Sequence, residues 1–315
     1  MSCALTFQPT QYDMAEPSSN VQTDAPLSSR NTWSLRLGLL VADRSALAGL
    51  LIIVFIALVA LLAPWIAGDP TEQSIAHAFA PPSMTNWFGT DEFGRDVLSR
   101  VIYGTRPALC VGVLSVFVSI VLGMPLGILA GYRGGWIDTV VSGFVDIMLS
   151  FPSLLLALMV VTLVGSGMGV LVLAIGIAHV PIFIRLARSS TLIIRELDYV
   201  TASRSFGGRQ FHILLKHIFP NAVGPLIVMA TLSIAGAIRE EAALSFLGLG
   251  IQPPEPSWGN LIRDGVTTIL EAPWLALIPG LCLTFAVLAF NLMGDSVRDI
   301  LDPRDLSASA VKKGK

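Results

Sequence analysis

Charged side chains are so unevenly spread along this chain that long stretches contain none. Five such runs stand out: Ser45 to Gly68, Pro107 to Tyr132, Ile147 to Ile184, Ile218 to Ile238 and Ala272 to Gly294. About 20 apolar residues in helix cross the hydrocarbon core of a bilayer, where each backbone N–H and C=O must be bonded within its own segment. The runs therefore predict an all-α integral membrane protein. Ile147 to Ile184 is too long for one crossing, and its Gly165-Ser166-Gly167-Met168-Gly169 cluster favours a turn. Split there, with its first half extended back through Asp146 to about Thr139, it yields two spans and a total of six.

Composition agrees with this class. Hydrophobic residues make up 53% of the 315 and charged residues 13%, against about a quarter charged in soluble domains. A net charge of -2 offers no sustained basic surface for nucleic acid. Cys3, Cys110 and Cys282 stand alone, and His77, His179, His212 and His217 have no ligand spacing, so neither a disulfide framework nor a metal site is expected. No nucleophile with a nearby base is evident, and no catalytic residue is assigned.

Orientation follows from the basic residues beside the spans. With the N-terminus inside, fifteen Lys and Arg fall on the inner side and four (Arg95, Arg100, Arg106, Arg263) on the outer, while Arg239 lies within a span. Both termini are thus expected in the cytoplasm. The expected organisation is a disordered tail over 1–34, a lead-in and first span over 35–68, an external segment over 69–106, a five-helix core over 107–298 and a second tail over 299–315. Val97, Leu98, Val101 and Ile102 recur at helical spacing, which predicts an amphipathic helix along the outer interface before span two. The Gly89 to Gly94 spacing suggests a phosphate loop, but Arg95-Asp96 stands where Lys-Ser or Lys-Thr would be needed. ATP hydrolysis by this chain alone is excluded.

One polar island, Asp198 to Asn221, interrupts the apolar pattern on the cytoplasmic side. Asp198 is a candidate N-cap, and Tyr199, Ala202 and Phe206 share a side of the short helix that follows. Gly207-Gly208 ends it. A second short helix would turn Phe211, Leu214, Leu215 and Ile218 toward the membrane core, with Pro220 restarting the chain into span five. An aromatic and small-residue ridge flanked by Arg204 and Arg209 suits a groove on a soluble partner.

Thr201-Ala202-Ser203, then Gly207, then His217-Ile218-Phe219-Pro220 resembles the coupling loop of ATP-binding cassette importer permeases, whose pattern is Glu-Ala-Ala, three residues, Gly, nine residues, Ile-x-Leu-Pro. Thr201 and Ser203 replace Glu and Ala here, and His217 replaces Ile. GTDEFGRDVLSR, GYRGGWID, DIMLSFPSLLLAL, LSFLGLGIQPPEPSWGNLI, APWLALIPG and AFNLMGDSVRDILDP narrow the resemblance to the C-type permease subunit of dipeptide, oligopeptide and nickel importers, over roughly Arg36 to Arg304.

The resemblance implies a type I importer permease fold with a cytoplasmic coupling helix, in a bacterial cytoplasmic membrane. It implies a heterodimer with a B-type permease, two ATPase subunits that bind ATP and magnesium, and an extracytoplasmic solute-binding protein. Tyr199, Thr201, Ala202, Ser203, Arg204, Phe206, Gly207, His217 and Pro220 would then meet the ATPase. Peptide and nickel cargoes both remain open; a secondary carrier is the reading from another class, and no internal repeat supports it.

Charges within spans are costly and mark pathway candidates. Arg239, Glu240 and Glu241 are three, with Glu241 about 30 Å along its helix from Asn221 and so near the outer mouth. The resembling family usually has a single Glu at the position of Glu241, making it the candidate for an outer gate. Asp146, about ten residues past Gly135 and so roughly mid-depth on the inner half of span three, is expected to face the bundle or the partner permease, in a structural or pathway-lining role.

Overall fold

The computed structural model describes residues 43–301. The tail expected over 1–34, part of the lead-in to span one and most of the tail expected over 299–315 lie outside the described residues. The helices are α1 (Arg44–Ile66), α2 (Val97–Arg133), α3 (Gly135–Leu149), α4 (Ser153–Val164), α5 (Met168–Ile194), α6 (Asp198–Ser205), α7 (Gln210–Ile213), α8 (Phe219–Phe246), α9 (Trp258–Thr267) and α10 (Trp274–Leu301), with a π-helical stretch, Leu214–Ile218, leading into α8.

Five continuous helical stretches are long and apolar enough to cross a bilayer: α1, α2, α5, Gln210–Phe246 and α10. The sixth crossing, expected as one helix, is broken. Helices α3 and α4 meet at a bend of 88°. Pro152 has no N–H to return to the carbonyl four residues back, so the helix stops and restarts one residue later.

Two boundaries differ from expectation. The helix predicted along the outer interface is the start of α2, a single helix of 37 residues that runs on into the span. Val97 and Val101 are buried in a cluster with Trp258 and Leu261, so this apolar face meets protein and not lipid. Trp258 Nε1 donates to the Val101 carbonyl at 3.0 Å. The separate amphipathic helix at this end is α9, between spans five and six. Span five starts earlier than expected: Pro220 lies in the first turn of α8, and the bond its missing N–H cannot make to Lys216 is bypassed by the π turn, where Phe219 N–H reaches Leu214.

The core forms where α2 and α5 press together. Gly123, Gly127 and Gly131 give α2 a groove at four-residue spacing, a small-residue pattern that lets helix backbones approach closely in membranes. A Cβ on Gly123 would stand 2.8 Å from Phe183 Cβ, one on Gly131 2.8 Å from the Arg188 carbonyl, and one on Gly127 would overlap the Ile184 carbonyl. Ser119 Oγ donates across to the Gly176 carbonyl at 2.7 Å. Helix α1 lies outside this core, with Gly49 against α10 and Arg106 Nε donating to the Ala60 carbonyl. Asp43, just before α1, accepts from Ser45 and from Ser296, and these hydroxyls hold its carboxyl below the usual range.

Candidate functional site

The polar island folds into two short helices braced against each other. Asp198 is the first residue of α6 and not its cap; Leu197 holds the cap position without a side-chain bond, and Asp198 instead places a negative charge on the helix's positive end. Val200 is fully buried and anchors the helix inward. At the other end Gly207 N–H bonds the Arg204 carbonyl and Gly208 N–H the Ser203 carbonyl, the paired pattern of a Schellman stop, with Gly207 at φ 79°. Glycine is needed there for that left-handed backbone.

The two helices are joined by aromatic rings. Tyr199 lies 5.7 Å from the His217 ring, which lies 6.1 Å from that of His212. Asn221 Nδ2 donates to the His217 carbonyl at 2.6 Å and to Tyr199 Oη at 3.2 Å. Arg204 stacks 5.6 Å from the Tyr132 ring at the end of α2. Thr201, Ala202, Pro220 and Phe206 are exposed, Phe206 to 91%, while Ser203 is partly covered. The second helix turns only partly as expected, with Ile218 buried and Leu214 packed against the core. Ile213 and Ile218 are its buried residues, and Phe211 and Leu215 are exposed at 71% and 53%. The loop therefore presents Phe206 and Phe211 as free aromatic surfaces on a stiff base.

Gln210–Phe246 is one continuous run of helix, so the second helix of the loop and span five form a single element. Near that span's far end lie the acidic residues. Arg239 is exposed and makes no ion pair among the described residues, whereas Glu240 and Glu241 are buried at 8% and 0% exposure. Glu240 Oε1 accepts from Ser153 Oγ at 2.6 Å, and its other oxygen lies 3.8 Å from His179 Nδ1, which donates to the Ile175 carbonyl. Glu241 accepts from Ser245 Oγ at 2.8 Å, beneath Gly250 and Gly259, which close on Ser245. Its side chain faces the protein interior and no open mouth.

Asp146 is paired with Arg185, Oδ1 to Nη2 at 2.7 Å, and both side chains are mostly exposed, at 68% and 59%. They border a cleft of about 320 Å³ between α3 and α5 lined also by Ser142, Val145, Ile184 and Arg188. Arg188 in turn holds Asp138 through a two-pronged contact. At the opposite end of the molecule, Asp91 accepts from Arg95 and Arg100, all buried, and fixes the external segment onto α2. Gly94 sits against the Ser74 carbonyl and Gly89 beside Trp274, so these glycines serve turns in that segment and leave no phosphate cradle.

Residues 123–305 match the family model described as binding-protein-dependent transport system inner membrane component. The chain belongs to this family of importer permeases. Residues 32–82 match a second model, the N-terminal TM domain of oligopeptide transport permease C. Among relatives, a dipeptide transport system permease protein of Alkalihalophilus pseudofirmus is 41% identical over 92% of this chain and 95% of its own length. A di/tripeptide transport system permease protein of Pseudomonas aeruginosa is 44% identical over 83% and 89%. A glutathione transport system permease protein of Pectobacterium atrosepticum is 43% identical over 71% and 74%. The fold resembles a chain of the MetNI methionine ABC transporter, with a TM-score of 0.53, 20% identity and coverage of 64% of this chain and 96% of that one.

Within this importer permease, the loop and the charged clusters divide into two kinds of element. Phe206 and Phe211 stand exposed on either side of the Gly207 stop. Glu240 and Arg188 tie spans to each other. Pattern reading singles out Asp146 and Glu240 but not their partners: Ser153 carries no signal of its own, and Arg185 enters the sequence reading only as a marker of orientation.

Proposed function

We propose that this permease forms half of the translocation pathway of an ATP-driven importer of di- or oligopeptides. The observation that carries the substrate is that relatives at 41% and 44% identity, aligned over most of the chain, bear dipeptide and di/tripeptide names. Peptides are thereby favoured over nickel or a metallophore, the other cargo the motifs left open. The pathway is completed by a B-type permease. An extracytoplasmic binding protein delivers the substrate, in keeping with the family's binding-protein-dependent description.

ATP and magnesium are bound by two partner ATPase subunits. Phe206 and Phe211 enter a groove on one of them, with Thr201, Ala202 and Ser203 lying along its rim. Closure of the ATPase pair on ATP moves this loop as a rigid body. Because the loop is continuous with span five, the motion reaches Glu240 and the bend it holds, switching access between the two sides of the membrane. The excess of Lys and Arg around the loop end supports the cytoplasm as its location, with both termini on that side.

Uptake by cells lacking only this chain tests the reading. Loss of labelled dipeptide uptake, with nickel uptake retained, is the expected result. The reverse pattern would reassign the cargo, and peptide uptake that persists would remove the chain from the pathway.

A further inference from the structure

The far end of span five is fastened to the protein by a chain of polar contacts that its loop end lacks. Helix α8 stops just before Gly248, at φ 81°, where Leu249 N–H bonds the Leu244 carbonyl and Gly248 N–H that of Ser245. The chain then doubles back over Ser245. Ser245 Oγ donates to Glu241 Oε1 at 2.8 Å and accepts from Ile251 N–H at 3.2 Å, and Asn260 Nδ2 donates to the Ile251 carbonyl at 2.6 Å. A Cβ on Gly250 would overlap Ser245 Oγ, and one on Gly259 would overlap the Ala242 carbonyl. Trp258, two residues before Asn260, carries the fastening to α2 through its bond to the Val101 carbonyl, and Gly104 leaves space there for its ring.

Burial follows the same division. Glu241, Leu244 and Ser245 are fully buried, whereas Pro225 and Ile227 are exposed and a Cβ on Gly224 would meet nothing within 4 Å. Packing alone does not account for the polar groups at the far end. Glu241 Oε2 and Asn260 Oδ1 are buried without a hydrogen-bond partner, a cost that apolar side chains of similar size would avoid. Hydrogen bonds weaken steeply away from their preferred angles, so they hold an orientation in a way that apolar contacts do not.

Resting on the importer reading above, we propose that Ser245 and Glu241 are positioning residues that make the far end of span five a pivot. A displacement of the loop then turns the span about Ser245 instead of sliding it along α2. At 1.5 Å per residue, Phe219 at the start of α8 lies about 39 Å from Ser245 and Glu240 about 8 Å. Glu240 therefore moves about a fifth as far as the loop end. This reduction turns a large stroke at the loop into a small, reversible shift of the Ser153 contact.

Pulsed EPR distances on the complex of permease and ATPase subunits in proteoliposomes, with and without ATP and magnesium, test this. Spin labels are placed on Leu247→Cys with Val113→Cys at the far end, and on Ile227→Cys with Leu126→Cys toward the loop. All four sites are exposed, and Cys3, Cys110 and Cys282 are replaced by Ser. Nucleotide should shift the Ile227 to Leu126 distance and leave the Leu247 to Val113 distance unchanged. In Ser245→Ala and Glu241→Ala the Leu247 to Val113 distance should shift as well, and labelled dialanine accumulated per ATP should fall about tenfold, the scale of one hydrogen bond. Glu241→Gln still accepts from Ser245 and should match the wild type in both readings.

Wild-type distances that change equally at the two pairs, or at neither, would overturn the pivot. So would a Glu241→Gln chain that behaves as Glu241→Ala. The wild-type comparison decides even where Ser245→Ala does not assemble. Because the distances are read whether or not peptide is taken up, a wild-type complex without peptide uptake would remove the importer reading separately.

Discussion

The hydroxyl of Ser153 donates to Glu240 Oε1 over 2.6 Å, linking the first residue after the broken span's bend to span five. Span five is also the span that continues from the polar loop. The contact thus joins the most bent element of the fold to the span continuous with the loop, and its acceptor Glu240 is buried, where an unmet polar group is expensive.

Removal of the donor alone should therefore be worse than removal of both partners. Ser153→Ala leaves a buried carboxylate without its hydroxyl and should cost about 1–3 kcal/mol, whereas Ser153→Ala with Glu240→Leu should recover much of that loss. Thermal unfolding of the purified complex measures the difference. A double variant less stable than Ser153→Ala alone would show that the bond is incidental to the bend.

The glycine groove makes a second prediction. Gly127→Leu forces α2 away from the Ile184 carbonyl and should destabilise by at least about 1–3 kcal/mol, the range for overpacking. Gly143→Ala, with nothing near its Cβ, should be silent. Detergent melting curves of the two variants check this; similar curves would mean that the α2 and α5 contact is not tight.

Phe206 is nearly free of the fold, and its proposed role is in docking the ATPase. At 91% exposure its replacement by Ala should change stability by no more than about 0.5 kcal/mol. As an aromatic anchor it should cost 2 kcal/mol or more, roughly thirtyfold, in affinity for the ATPase subunit. Titration of the permease with purified ATPase reads this directly, and unchanged affinity would place the docking surface elsewhere on the loop.

Much of this architecture was legible because bilayers read composition. The uncharged runs located the crossings, and the Gly165 to Gly169 cluster divided the longest of them at the observed break between α4 and α5. The bend at Pro152 was less legible, since a proline within an apolar run is also compatible with a gently kinked span. The starts of α2 and α8 were missed because the helix period does not reset at the membrane surface; Val97 to Ile102 repeat in the same way whether they face lipid or Trp258. The groove of Gly123, Gly127 and Gly131 has a four-residue spacing that is hard to tell from chance among 28 glycines. Partners such as Ser153 and Arg185 could not be read, because they arise from contacts 87 and 39 residues apart.

The central claim is that the loop transmits motion and neither binds nor transforms the cargo. Simultaneous measurement of ATP hydrolysis and dialanine uptake in proteoliposomes, with wild-type chain and Ala202→Asp side by side, tests it most directly. The assembled Ala202→Asp complex is expected to hydrolyse ATP but accumulate little peptide. Peptide accumulated per ATP at the wild-type ratio in that variant would contradict it.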